Sequence, residues 1–243
     1  MNAPVVIGNA TLYLGDCREA LPSLQADVVI ADPPYGVTSL QWDLRVEGWT
    51  DLINAPALWC FGSMAFFMAH RFDGWQYGQE VVWEKHNGSN FHADRFRRVH
   101  EFAVMFYRGP WSSLYRNVPT TADATKRTVR RKRRPAHTGH IDASAYASED
   151  GGPRLQRSVI RVHSCHGHAE HPTQKPVGIV SPLIEYSCPP TGTVLDPFMG
   201  SGTTGVAMAH TGRQFIGIEI EPKYFDIACE RIERAQAQQR LFA

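Results

Sequence analysis

The residues best suited to chemistry are Asp32-Pro33-Pro34-Tyr35. An acid and an aromatic ring stand at the two ends of a turn. Its two prolines stiffen it, remove two backbone donors and leave nearby carbonyls free to accept. A rigid acceptor pair beside a stacking ring suits a planar ring that carries an exocyclic amine. The same tetrapeptide also reads as an ordinary strand-ending turn. A second candidate is Asp196-Pro197-Phe198-Met199-Gly200-Ser201-Gly202-Thr203-Thr204. Gly200 and Gly202 permit close backbone approach, and a helix beginning beyond them offers free N–H groups and its positive dipole end. The stretch lacks the Gly-Lys-Ser/Thr ending of a phosphate-gripping loop. Glu219 follows at the end of the next strand, where doubly wound folds place an acid on ribose hydroxyls. Together these fit a nucleotide-like ligand. The alternative is a structural turn, with Glu219 capping the last helix.

The elements that must position these residues are short apolar strands alternating with helices. Thr11–Leu14 leads into Gly15-Asp16 and a short helix from near Arg18. Val28–Ala31 is an unbroken apolar run, as expected of a strand buried on both faces. Leu58–Phe61, Glu80–Trp83 and Phe102–Tyr107 read as further strands. After a stretch without periodicity the pattern resumes: helix Ile179–Ser187, strand Thr193–Asp196, helix Thr203–His210, strand Phe215–Glu219, and a last helix from Pro222. Tyr224, Ala228 and Ile232 share one face of that helix. The pattern implies an α/β fold with a mostly parallel sheet flanked by helices. Three segments follow: 1–107, an interruption at 108–165 with only partial order, and 166–243.

At 243 residues the chain can bury one full core. No apolar run spans a bilayer, and the start lacks a signal-peptide pattern. Five scattered cysteines without a Cys-x-x-Cys pair favour free thiols in a reducing cytoplasm. The net charge of +1 conceals an uneven distribution: residues 91–161 hold fifteen Lys/Arg and six Asp/Glu. The sharpest cluster contains Arg127, Arg130, Arg131, Lys132, Arg133 and Arg134. Such clusters bind phosphate backbones, and they also occur as solvated loops.

Three blocks carry a family resemblance. Asp32–Tyr35, His171-Pro172-Thr173-Gln174-Lys175-Pro176 and Asp196–Gly202 resemble the signature blocks of S-adenosylmethionine-dependent DNA amino-methyltransferases. Their order resembles the β arrangement: catalytic block, recognition segment, then cofactor loop. The resemblance implies a Rossmann-like, circularly permuted sheet of the seven-stranded methyltransferase type, with a basic target-recognition insertion. It assigns Asp32, Pro33, Pro34 and Tyr35 to catalysis. Phe198, Gly200, Ser201, Gly202 and Thr203 would hold the cofactor, with Asp196 opening the loop and Glu219 on the ribose. His171, Thr173 and Lys175 would meet the methionine carboxylate. Asp16 would lie beside the adenine, with Cys17 following by its backbone; Asp16 also suits a helix N-cap.

The implied partner is double-stranded DNA, in the cytoplasm of a bacterium or encoded by a phage. The basic residues 127 and 130–134 would meet its phosphates, and Trp83-Glu84-Lys85 would wall the base pocket. Aspartate at the first motif position resembles the adenine-N6 enzymes, whereas cytosine-N4 enzymes more often carry serine. Protein-glutamine and RNA methyltransferases usually carry asparagine there and place the cofactor loop first. A non-catalytic DNA-binding relative is the remaining class. His163, Cys165, His166, His168 and His171 match no standard zinc spacing, so no metal is expected. A homodimer is permitted, and an accompanying restriction endonuclease is left open.

Overall fold

The computed structural model describes residues 3–36, 43–89, 93–130, 145–165, 167, 169–170, 173–209 and 211–242. Met1–Asn117 and Ser158–Ala243 form one compact unit, and Val118–Arg157 forms a second.

In chain order the strands are β1 (Val5–Ile7), β2 (Ala10–Leu14), β3 (Val28–Ala31), β4 (Ala57–Gly62), β5 (Gln76–Ser89), β6 (Arg98–Tyr107), β7 (Thr120–Thr121), β8 (Arg127–Arg130), β9 (Ala145–Ser148), β10 (Arg154–Leu155), β11 (Val159–Arg161), β12 (Thr193–Asp196) and β13 (Gln214–Glu219). The helices are α1 (Cys17–Ala20), α2 (Met64–Ala69), α3 (Val177–Ser187), α4 (Thr203–Met208) and α5 (Pro222–Phe242).

The large unit is built on a nine-stranded sheet, ordered β1-β2-β13-β12-β3-β4-β6-β5-β11. The seven strands from β2 to β5 are the methyltransferase-type sheet expected from the sequence. β1 and β11 extend it at the two edges. β6 runs antiparallel to both β4 and β5, while β2, β13, β12, β3 and β4 pair in parallel.

Strand alternation divides the core into two layers. Val28 and Ile30 join Trp59, Phe61 and Phe215 on one face, covered by Ile179, Leu183 and Ile184 of α3 and Ala228 and Ile232 of α5. Val29 and Ala31 face the other way, with Leu58, Cys60 and Leu195, against Cys17 and Ala20 of α1 and Phe66 of α2. This two-sided burial explains the unbroken apolar run of β3. Two buried polar side chains are satisfied inside: Trp59 Nε1 donates to Ser187 Oγ at 3.1 Å, and Ser187 donates to Leu183 O at 2.6 Å.

Two sequence expectations shift. Residues 108–117 and 158–165 belong to the large unit, so the separate unit is narrower than 108–165. The three residues of β11, which pair with Val82–Glu84, are too few to show a period. On α5 the buried stripe is Phe225, Ala228 and Ile232. Tyr224, the expected first member, is half-buried and lines a cavity at the strand ends instead.

The small unit contains two antiparallel pairs, β7 with β10 and β8 with β9. Lys126 N–H donates to Asp150 at 2.6 Å, and Ser148 Oγ donates to Thr125 O at 2.6 Å, tying the ends of the β8–β9 ribbon.

Candidate active site

The parallel strands end at one edge of the sheet, where ligands bind in open α/β folds. β2 ends in Gly15-Asp16, β3 in Asp32–Tyr35, β12 in the glycine loop and β13 in Glu219. A cavity of about 720 Å³ opens there, within the range of small-molecule sites. Its lining includes Asp16, Cys17, Asp32, Pro33, Pro34, Tyr35, Thr173, Lys175, Asp196, Phe198, Gly200, Ser201, Thr203, Glu219 and Tyr224. The turn after β3 and the loop after β12 therefore share one hollow. Gly202 is the first residue before α4, with φ of +78°, and a Cβ there would meet Ala228 Cβ at 2.9 Å. Glycine is required at that position for both reasons.

The glycine loop is held from three sides. Glu219 accepts the Gly200 N–H at 2.9 Å and the Glu221 N–H at 2.8 Å. Burial raises its pKa, opposed by those N–H bonds. Asp196 is almost fully buried and accepts from Thr204 Oγ1 at 2.6 Å and Phe198 N–H at 3.0 Å. Burial pushes its carboxyl up to about 7 despite the two donors. Asp196 thus fastens the loop as well as opening it. Arg231 of α5 donates to Ser201 O, and to Ser201 Oγ at 2.8 Å. The Phe198 ring stands edge-on to Trp49, with centroids 5.1 Å apart.

Asp16 caps α1, accepting the Arg18 N–H at 2.9 Å and the Arg18 Nη2 at 2.6 Å. These bonds from Arg18 lower its pKa. Cys17 is buried, and burial, with Asp16 beside it, lifts its thiol to about 12. It is therefore a neutral thiol and no nucleophile.

At the other end of the cavity lies a charge cluster that the sequence did not disclose. Lys175 Nζ is 2.5 Å from Asp32 Oδ2 and 3.1 Å from Glu101 Oε1. Lys85 Nζ reaches Glu101 Oε2 at 2.7 Å. Tyr35 Oη is 2.7 Å from Asp32 Oδ1 and 3.1 Å from Glu101 Oε1. Burial pushes Asp32 above the ordinary carboxylate range, against the pull of Lys175. Burial also disfavours ionised Glu101, but Lys175 and Lys85 overcome it and hold the carboxyl at about 2. Lys175 is held above its ordinary value by the same two carboxylates, in spite of burial. Burial and both acids keep the Tyr35 phenol protonated, so it donates.

Lys175 thus stands on Asp32 of the turn after β3, where the resemblance implied a methionine carboxylate as its partner. Thr173 lines the cavity, and His171 lies outside the described residues. A second cavity of about 560 Å³ lies beyond this cluster, lined by Tyr35, Trp83, Lys85, Asn87, Glu101 and Lys175; of the expected wall, Trp83 and Lys85 line it and Glu84 does not. Arg127 and Arg130 are exposed on β8, three residues apart and so on opposite faces of the strand. Arg131, Lys132, Arg133 and Arg134 lie outside the described residues. His163 stacks on His86, with centroids 4.7 Å apart, and among the described residues no His, Cys, Asp or Glu group is arranged to hold a metal.

Residues 26–230 match the N6/N4 DNA methylase family. The chain belongs to this family. It is 28% identical over 261 residues to the Type II methyltransferase M.HinfI of Haemophilus influenzae, covering 91% of this chain and 68% of that one. Over 162 residues it is 32% identical to M.XycI of Xanthomonas campestris pv. cyanopsidis, covering 66% of this chain and less than half, 46%, of the relative. The crystal structure of M1.HpyAVI with S-adenosylmethionine superposes with a TM-score of 0.63 at 26% identity, over 92% of this chain and 98% of that chain. S-adenosylmethionine is the cofactor of this DNA methylase family. The residues here fit it: Gly200 in the cavity lining with φ of +52°, an acid at the end of β13, and the Phe198 ring in the same lining.

Proposed function

We propose that this chain methylates the exocyclic N6 amine of an adenine rotated out of duplex DNA. The reading is carried by one observation: Asp32–Tyr35 and the glycine loop with Glu219 line the same cavity. When bound, S-adenosylmethionine supplies a sulfonium methyl group. The chain's residues do the rest. Gly200, Ser201, Gly202, Thr203, Phe198 and Glu219 hold the donor, with Asp16, Cys17 and Thr173 at its margins. Asp32 and the Pro33 carbonyl accept the two N–H bonds of the amine and localise its lone pair. Pro34 keeps the turn rigid, and the Tyr35 ring stacks on the base. The Tyr35 hydroxyl is anchored on Asp32, and its ring lies against Phe66 with centroids 5.2 Å apart, so the stacking face is preset.

Positioning two reactants in one cavity supplies on the order of 7–11 kcal/mol. Extruding the base costs roughly a few kcal/mol, recovered by contacts in the pocket. The basic unit around β8 supplies phosphate contacts, which give affinity and register but no sequence choice. Asp32 at the first motif position supports adenine over cytosine-N4.

The test is incubation with tritiated S-adenosylmethionine and unmethylated DNA, followed by digestion to nucleosides. Label in N6-methyladenine is expected. Label in N4-methylcytosine alone refutes the base, and unlabelled DNA refutes the substrate class.

A further inference from the structure

The two donors that occupy Asp32 share one alternative acceptor. Lys175 holds Oδ2 of Asp32 and Tyr35 holds Oδ1, and each also lies 3.1 Å from the same atom, Glu101 Oε1. The second Glu101 oxygen is fixed by Lys85 at 2.7 Å. Lys85, Glu101 and Lys175 are largely buried, with side-chain exposures of 19%, 12% and 8%. Two carboxylates and two ammoniums balance to zero, which is how a buried ionic cluster is tolerated.

Lys175 and Tyr35 each already hold one oxygen of Asp32, so an amine that donates there competes with them for the carboxylate. A buried ammonium released without a partner would be strongly unfavourable. Glu101 removes that obstacle, because Lys175 and Tyr35 need only a small movement to rest on it entirely. We propose that Glu101 is a positioning residue for methyl transfer: it takes over Lys175 and Tyr35 when the exocyclic amine claims Asp32. The inference rests on the amine-methylating reading above. Glu101 acts through Lys175 and Tyr35, and no covalent step is added.

The experiment uses the full chain in excess over long unmethylated plasmid DNA, with tritiated S-adenosylmethionine and single-turnover rates. Glu101→Gln removes the charge and keeps the shape, leaving Lys175 with Asp32 as its one carboxylate partner. Its rate constant is expected to fall about tenfold or more, the scale of one charge-assisted hydrogen bond, with calorimetric affinity for S-adenosylmethionine unchanged. Adding Lys175→Met to Glu101→Gln should recover part of the lost rate, since no cation remains on Asp32. A merely structural Glu101 would make the second change compound the first. Should Glu101→Gln prove unfolded by thermal melting, the double variant is compared with Lys175→Met alone; rates equal within about twofold are expected, and a further loss overturns the proposal. A wild-type protein that labels no DNA defeats the proposed function, whereas an active wild type with an equally active Glu101→Gln defeats only this inference.

Discussion

Glu219 Oε2 accepts the Gly200 N–H at 2.9 Å, so the acid at the end of β13 fixes the backbone of the glycine loop after β12. Its other oxygen accepts the Glu221 N–H at 2.8 Å, at the approach to α5. One side chain therefore sets both the loop and the acceptor expected on the ribose. Glu219→Ala should weaken S-adenosylmethionine binding roughly 10- to 100-fold, from losing hydrogen bonds to a charged acceptor. Calorimetric titration checks this, and an affinity equal to wild type would remove Glu219 from the cofactor site.

Asp32→Ala should separate chemistry from cofactor binding. The glycine loop is anchored by Asp196, Glu219 and Arg231 without help from Asp32. Methyl transfer is expected to fall by roughly 10²–10³ or more, as when a charge-stabilising partner is removed from other active sites. Binding of S-adenosylmethionine should persist. Filter-bound tritium and a binding isotherm on the same preparation decide it.

Asp196 gives a pH dependence of definite sign. Its carboxyl moves from an ordinary 3.8 to about 7 on folding, so between those values the folded chain holds a proton the unfolded chain has lost. Stability then falls as pH rises through that window, and this contribution levels off above about 7. Thermal midpoints measured from pH 4 upward should show that component of the slope in wild type. Asp196→Asn, which keeps the size without the titration, should lack it. Identical slopes in the two proteins would contradict the assignment.

Arg127 and Arg130 are exposed on opposite faces of β8, in a ribbon of the width that enters a major groove. Each Arg→Ala change should weaken DNA binding uniformly across sequences. Each should also reduce the slope of log K against log salt by about 0.9. Fluorescence anisotropy over a salt series measures it. An unchanged slope in the double variant would take β8 out of the interface.

The strands were legible where burial on both faces left a continuous apolar run, as in Val28–Ala31, or where a glycine turn followed, as after Asp196. Glu101 was not legible. It sits at the start of an apolar strand, where a lone acid reads as a solvent-facing alternation. Only the pairing of β6 with β5 and the arrival of Lys175 ahead of α3 enclose it. Lys175 was found but given one carboxylate partner by family likeness, where the fold supplies two others. Tyr224 and Phe225 stand four and three residues before Ala228, and both spacings suit one helical face, so spacing does not separate them.

β2 lies beside β13 in parallel register, and the Gly15 N–H donates to Glu219 O at 2.9 Å. The neighbours that close one side of the donor cavity are thus separated by most of the chain. On a ribosome adding about 5–20 residues per second, Asp16 emerges roughly 10–40 s before Glu219 does. The turn at residues 32–35 is likewise synthesised early. Until β13 is made, a nascent chain carries that turn without Glu219, the acid that holds the Gly200 N–H. Synthesis therefore delivers the two walls of this cavity at different times, β2 and the 32–35 turn early and β13, which pairs with both β2 and β12, late.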